Sequence, residues 1–110
     1  MSGEPADDAA IPQSIVALIE EVADLEPPVE VRIDGGHASY DVAGRCFAVA
    51  SASVLEVDLG AEVASAAVRT PDTAASGRGP GWVRFAPPTV DDHAADRIAS
   101  WFELARRIAA

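Results

Sequence analysis

Residues 29–59 constrain the fold most, because short apolar and polar alternations are separated there by very short turns. Asp34-Gly35-Gly36 and Ala43-Gly44-Arg45 are sequences typical of hairpin turns. Parallel neighbours would need a crossover of about a dozen residues or more, which these turns cannot hold. The segment therefore predicts four antiparallel strands. The first alternates through Val29, Val31 and Ile33, the second has Ala38, Tyr40 and Val42 on one face, the third is the run Cys46-Phe47-Ala48-Val49, and the fourth alternates through Leu55, Val57 and Leu59.

Helical spacing of apolar residues flanks these strands on both sides. Before them, a stripe running from Pro12 through Asp24 or Leu25 predicts a first helix that Pro27-Pro28 ends. Its apolar positions are Ile15, Leu18, Ile19, Val22 and Leu25. After the strands, the alanine-rich residues 61–69 predict a short second helix with an early acid and a terminal arginine.

The C-terminal third, residues 77–110, contains both tryptophans and two of the three phenylalanines. It predicts a strand at residues 82–86, a break at Pro87-Pro88 and a closing helix. Thr89 followed by Asp92 is typical of a capping box. The apolar stripe of the helix is Ile98, Trp101, Phe102, Ala105 and Ile108. We expect this third to supply most of the large core side chains.

Together these segments predict an α+β fold in the order α-β-β-β-β-α-β-α, with an antiparallel sheet of about five strands and the helices on one face. We assign residues 1–11 to a flexible acidic tail and residues 12–110 to a single domain, the usual size for one core.

Charge and cysteine content restrict the functional classes. The net charge is −10, and all eight basic residues are arginines. Nucleic-acid affinity depends on cationic side chains, so this balance disfavours it unless the arginines cluster.

A single cysteine allows no internal disulfide, and residues 1–8 lack the features of a signal peptide. We expect a cytoplasmic protein without a membrane span, encoded by a GC-rich bacterial genome.

The segment at residues 70–80 is the longest predicted irregular stretch. Its end, Ser76-Gly77-Arg78-Gly79-Pro80-Gly81, could present backbone N–H groups and one guanidinium to an anion, although it lacks the Gly-Lys-Ser/Thr ending of a phosphate loop. A plain flexible connection is the alternative. If the domain has a ligand or partner site in this third, we expect it at Arg78, Gly79, Gly81 and Trp82.

Other polar residues carry weaker signals. A zinc site would need His37, Cys46 and His93 to converge with a carboxylate, and their spacing matches no zinc signature. The ordinary interpretation is an edge-strand histidine, a core cysteine and an exposed histidine in a first helical turn. His93 beside Asp92 and Asp96 resembles a general-base pair but has no obvious nucleophile. We therefore assign no catalytic, cofactor or metal residues.

Three stretches carry a family resemblance: residues 42–49, residues 55–63 and Gly81-Trp82-Val83, followed by a final helix with Trp101. Over about residues 12–110 the chain resembles the MmcQ/YjbR family of small frataxin-like, double-wing proteins, described as DNA-binding from their fold. A luciferase-domain family of bacterial proteins offers nearly the same pattern. Neither resemblance gives catalytic residues.

These observations favour a non-enzymatic binding or protein-interaction domain. The first alternative is a nucleic-acid-binding protein, which requires one surface to carry arginines 32, 45, 69, 78 and 84. The second is weak metal-cation binding on an acidic first helix, as the frataxin-like resemblance implies, through Glu20, Glu21, Asp24 and Glu26. A small enzyme is the third.

Overall fold

The computed structural model describes residues 14–23, 25 and 29–110. Three helices accompany a six-stranded sheet: α1 (Ile15–Val22), β1 (Val29–Asp34), β2 (His37–Val42), β3 (Arg45–Ala50), β4 (Leu55–Asp58), α2 (Ala61–Ala67), β5 (Thr73–Ala75), β6 (Trp82–Phe85) and α3 (Asp92–Ala109). The sheet is antiparallel throughout, in the order β1-β2-β3-β4-β6-β5. The predicted α+β class and antiparallel sheet are thus confirmed.

The strand count was one too low, because β5 lies inside the stretch predicted to be irregular. β5 has only three residues, Thr-Ala-Ala, and carries no apolar alternation that a sequence pattern could detect. It pairs with β6 from Thr73↔Phe85 to Ala75↔Val83. The long loop is therefore the first arm and tip of a hairpin.

The core lies between the sheet and the helices. Tyr40, Phe47 and Phe102 form an aromatic trio, with ring centroids 4.9 Å apart for Tyr40–Phe102 and 5.2 Å for Phe47–Phe102. The predicted inward residues of β2 and β4 are all buried, as are Ile15, Leu18 and Ile19 of α1. Helix α3 packs on β3 and β4 and on α1, while α2 packs on β5 and β6.

Three predicted core residues in the C-terminal third are less buried than the pattern predicts. Trp82 and Trp101 are only partly buried, and Ile108 is exposed. Strand β1 also differs from the prediction, because Val29 is buried whereas Val31 and Ile33 are exposed. β1 is the edge strand of the sheet, so the helix layer that covers β3 and β4 does not shield its far end.

The helix boundaries also differ from the prediction. Helix α3 begins two residues later than the Thr89 capping box predicts, with Asp91 as its N-cap: Asp91 Oδ1 accepts a hydrogen bond from the Ala94 amide at 2.9 Å. Ser14 caps α1 by accepting from the Ala17 amide at 3.3 Å. α1 ends at Val22, and Ala23 is already extended. The predictions for the tail at 1–11, for Pro12, for Asp24 and for Pro27-Pro28 lie outside the described residues.

Candidate functional site

The predicted partner loop lies at the tip of the β5–β6 hairpin. Two backbone hydrogen bonds close it: the Ser76 amide donates to the Trp82 carbonyl at 3.0 Å, and the Trp82 amide donates to the Gly79 carbonyl at 3.1 Å. Ser76 is buried, with 8% of its surface exposed. The tip is therefore a hydrogen-bonded hairpin end, whereas the sequence pattern predicts an irregular segment.

Glu56 of β4 fixes this tip to the sheet. One carboxylate oxygen, Oε2, accepts from the Ser76 hydroxyl at 2.7 Å, and the other, Oε1, accepts from Arg78 Nε at 2.9 Å. The Ser76 hydroxyl in turn accepts from the Arg78 amide at 3.3 Å. We call Glu56, Ser76 and Arg78 the strap; its hydrogen bonds join β4 to residues 20 and 22 positions further along the chain.

The electrostatics of the strap keep Glu56 ionised. Burial by itself would raise the pKa of the Glu56 carboxyl, but hydrogen bonds from Ser76 and Arg78 and the charges of Arg78 and Arg84 outweigh it. The net result is a pKa below the usual value for glutamate. A carboxylate held in this way is a weak base, so its chemistry suits anchoring better than proton abstraction.

Arg78 also lies over the ring of Trp82, with its guanidinium carbon 5.8 Å from the ring centroid. This is within the range of a cation–π contact. Gly79 permits the arrangement: a Cβ atom at this position would lie 3.1 Å from Trp82 Cδ1. Arg78 keeps 46% of its side chain exposed. The two side chains form a partly exposed surface, which we call the Arg78–Trp82 pair.

Gly81 is required by close packing of the backbone. A Cβ atom there would lie 2.5 Å from Asp58 Oδ1 and 2.9 Å from the Gly60 Cα atom. The Gly81 carbonyl accepts from the Leu59 amide at 2.8 Å, which ties the start of β6 to the end of β4. Of the four predicted loop residues, Gly81 is therefore structural, whereas Arg78 and Trp82 reach solvent.

Antiparallel partners share a face, so Glu56 and Arg84 lie together, and so do Asp58 and Trp82. We call this side of the sheet, opposite the aromatic core, the charged face. It also carries ion pairs from Arg32 to Asp41 at 3.2 Å and from Arg45 to Asp58 at 3.3 Å. Of the five arginines named in the nucleic-acid hypothesis, Arg32, Arg78 and Arg84 thus lie on this face, and the Arg45 guanidinium reaches it at Asp58; Arg69 instead follows α2.

The three potential zinc ligands do not converge. His37 lines a shallow depression of about 180 Å³ on the charged face, together with Val49, Glu56 and Arg84. His93 lines a different one of about 170 Å³, beside Pro71, Asp72 and Arg97. Within residues 14–23, 25 and 29–110, no group of three His, Cys, Asp or Glu side chains is placed to hold a metal ion. Of the acidic first-helix set, Glu20 and Glu21 are exposed, and Asp24 and Glu26 lie outside the described residues.

Cys46 is half-buried at the charged face, so its prediction as a core residue is wrong. Burial raises the pKa of its thiol, and the neighbouring Asp41 carboxylate raises it further. Since the thiolate is the nucleophilic form, Cys46 is a poor nucleophile at neutral pH. Its Sγ atom lies 3.6 Å from the Ala48 carbonyl oxygen, to which it donates.

Sequence reasoning missed the roles of Glu56 and Ser76. The alternation Leu55-Glu56-Val57-Asp58 does place Glu56 and Asp58 on one face of a strand. It gives no signal for the pairing of β4 with β6, which brings the hairpin tip to Glu56. That neighbour relation depends on where β6 joins the sheet, which no local spacing encodes.

Comparison of the chain with protein-family models, with curated proteins and with solved structures found no match. The MmcQ/YjbR resemblance and its luciferase-domain rival therefore stay predictions. Among the described helices, none has the length and apolar character that crossing a membrane requires.

Proposed function

We propose that this protein is a non-enzymatic protein-interaction domain of the cytoplasm, and that the Arg78–Trp82 pair is the centre of its partner contact. The observation that carries the proposal is the strap. It holds a partly exposed arginine over a partly exposed tryptophan at the end of a hydrogen-bonded hairpin.

Arginine and tryptophan are the residue types that most often dominate the binding energy of protein interfaces. Arginine normally loses considerable rotamer entropy when a partner immobilises it. Here the Glu56 carboxylate and the Trp82 ring already restrict the Arg78 side chain. A partner would therefore bind a surface whose ordering cost has largely been met during folding.

Three groups with catalytic potential, the Ser76 hydroxyl, the Glu56 carboxylate and the Cys46 thiol, are committed to hydrogen bonds. The Ser76 hydroxyl donates a hydrogen bond to the Glu56 carboxylate, and the lowered pKa of Glu56 makes this carboxylate a weak base. The Cys46 thiol has a raised pKa and stays protonated near neutrality. These properties favour a binding role over an acyl-transfer or thiol-based activity.

The net charge of −10 indicates the character of the partner. An acidic protein attracts basic surfaces over several ångströms and repels acidic ones. We therefore infer a partner protein with a basic surface around an apolar or carboxylate-bearing centre that fits Trp82 and Arg78.

Site-specific photo-crosslinking in cells that naturally make the protein tests this proposal. A photoreactive residue replaces Pro80, which is exposed at the hairpin tip, and a matched control replaces Ala66, which is exposed on α2. We expect a discrete protein adduct from position 80 that is missing from position 66. Equal adduct patterns at the two positions, or none at position 80, would overturn it.

Nucleic-acid binding is the second candidate, favoured by Arg32, Arg45, Arg78 and Arg84 on the charged face. Three of them are bonded to carboxylates, at 3.2, 3.3 and 2.9 Å, which reduces the charge available to phosphates. An electrophoretic shift at low salt, lost on raising the salt concentration, would support this candidate. Nucleic-acid adducts at position 80 would support it as well.

A further inference from the structure

Strand β1 is the longer edge of the sheet and exposes apolar side chains. It spans six residues, whereas the opposite edge strand β5 spans three. In the described part of the chain, β1 pairs with β2 on one side only. Val31 is 38% exposed and Ile33 is 65% exposed. Natural proteins usually shield such an edge, because its free backbone groups can pair with another strand.

The face on which these residues lie follows from the register. Val31 pairs with Tyr40 and Ile33 pairs with Ala38, and both partners are buried on the core side. Glu30 and Arg32 alternate with them and lie on the charged face. A strand added to β1 would therefore meet valine and isoleucine on one side and a glutamate–arginine pair on the other.

We propose that the occupant of this edge is β1 of a second copy, paired antiparallel about a two-fold axis through Val31. In this register Val31 faces Val31 of the second copy, and Val29 faces its Ile33. On the other side Glu30 faces the arginine at position 32 of the second copy, and the symmetry repeats that pair. Two apolar and two oppositely charged cross-strand pairs form in addition to the central valines.

The charges on β1 select this register over its neighbours. Moving the axis to Arg32 would place two arginines opposite each other and Glu30 opposite Asp34, which are like-charge pairs. Moving it to Ile33 would pair Arg32 with Asp34 but would bring Val31 opposite Gly35, a hairpin-turn residue with φ of 56°. Of these three registers, only the one centred on Val31 keeps residues 29–33 in extended pairing and satisfies their charges.

Glu30 is the β1 residue whose negative charge the second copy would balance. Its cross-strand neighbour on β2 is Asp41, which carries the same charge. Asp41 is bonded to Arg32 of the same chain at 3.2 Å, and no ion pair joins Glu30 to another described residue. Like charges directly opposite are destabilising in a sheet. The arginine of a second copy would supply the missing counter-charge.

Sedimentation equilibrium of the full chain at about 0.15 M ionic strength tests the proposal. We expect a reversible dimer with a dissociation constant in the micromolar range. Glu30→Arg, which creates two arginine–arginine pairs, should raise that constant about tenfold or more. The substitution also reduces the magnitude of the net charge, from −10 to −8, which by itself would weaken repulsion between copies and favour association. Asp34→Arg makes the same charge change outside the predicted pairs and should leave the constant nearly unchanged.

A mixing experiment separates pairing from misfolding. The Arg32→Glu variant alone should also dissociate into monomers, because the substitution places Glu30 of one copy opposite a glutamate of the other. Equimolar Glu30→Arg and Arg32→Glu chains should form a heterodimer, since each charged pair then joins an arginine to a glutamate. Circular dichroism establishes that each variant is folded.

A wild-type chain that stays monomeric to near-millimolar concentration would overturn the proposal. So would a dimer unaffected by Glu30→Arg, or a mixture of folded variants that stays monomeric. These outcomes test only the pairing of β1, and the proposal for the Arg78–Trp82 pair does not depend on them.

Discussion

Arg78 Nε donates to Glu56 Oε1 across 2.9 Å, although the two residues are 22 positions apart in the sequence. The contact is possible because β4 pairs directly with β6, which brings the hairpin tip within reach of the Glu56 side chain. A local loop signal and a distant strand residue thus form one site. The Arg78 side chain of the Arg78–Trp82 pair is held by this contact.

Replacing Glu56 tests the strap. Glu56→Gln removes the charge that Ser76 and Arg78 bond, so we expect a loss of about 1 kcal/mol in the free energy of unfolding, measured by urea denaturation. Glu21→Gln changes an exposed glutamate on α1 and should cost less than about 0.5 kcal/mol. Equal effects from the two substitutions would mean that the strap does not stabilise the fold.

The strap also predicts a pH dependence. The pKa of Glu56 is lower in the folded chain than in the unfolded chain, so its contribution to stability is present above the unfolded value and is lost as pH falls through the folded value. The stability difference between wild type and Glu56→Gln should therefore shrink as pH falls below about 4. A constant difference from pH 7 into this acidic range would contradict the lowered pKa.

Gly81 and Gly77 form a matched pair for the packing of the hairpin. Gly81→Ala would bring a methyl group against Asp58 Oδ1 and the Gly60 backbone, so we expect a loss of about 1–3 kcal/mol. A methyl group at Gly77 meets nothing within 4 Å, and Gly77→Ala should be neutral or slightly stabilising. Thermal unfolding of the two variants measures the contrast. Similar midpoints would show that β4 and β6 do not approach as closely as described.

Tyr40 is the only tyrosine, which allows its titration to be followed by ultraviolet absorbance. Burial, with a smaller effect of Glu20, raises the pKa of Tyr40 to about 12. The hydroxyl is buried without a hydrogen-bond partner among the described residues. We expect no phenolate near pH 10 in the folded chain, and stability that falls as pH rises from the unfolded value of about 10 through the folded value.

The same unpartnered hydroxyl predicts the effect of Tyr40→Phe. Removing a buried group that makes no hydrogen bond should leave the free energy of unfolding unchanged or raise it by up to about 1 kcal/mol. Chemical denaturation at neutral pH measures this. A loss above about 1 kcal/mol would reveal a bond to the hydroxyl.

Trp101 and Phe102 are neighbours on α3 with different burial. Phe102 is 1% exposed within the aromatic trio, so Phe102→Ala should cost about 3–5 kcal/mol. Trp101 is partly exposed and contacts Phe85 edge-to-face at 5.6 Å. Trp101→Ala should therefore cost less, about 2 kcal/mol, because less apolar area returns to water. Denaturation midpoints that place Trp101→Ala below Phe102→Ala would contradict this ordering.

The sequence predicted the parts of the fold that local periodicity encodes. Strands β2 and β4 alternate cleanly because one face is buried, and the helix stripes at Ile15, Ile19, Ile98 and Phe102 are buried as expected. Strand β5 escaped prediction because it is held by pairing with β6 and by nothing in its own three residues. Burial at the sheet edge was also wrong: Val31 and Ile33 follow the same alternation as buried residues, and only the extent of the helix layer distinguishes them.

For the candidate site, Arg78 and Trp82 were identified because glycines and a proline mark the segment around them as a turn. Their fixation by Glu56 and Ser76 could not be predicted, since it depends on which strands are neighbours. Likewise, Asp91 rather than Thr89 caps α3 because only the folded backbone decides which residue aligns with the amide of Ala94.

The central claim, that the Arg78–Trp82 pair binds a protein partner, is tested most directly by the yield of the position-80 crosslink in two tryptophan variants. Trp82→Ala and Trp101→Ala each remove one partly buried tryptophan, but only the first removes the ring under Arg78. We predict that Trp82→Ala reduces the yield about tenfold or more, as loss of a central interface residue should, and that Trp101→Ala leaves it near the wild-type level. Equal yields from the two folded variants would contradict the claim.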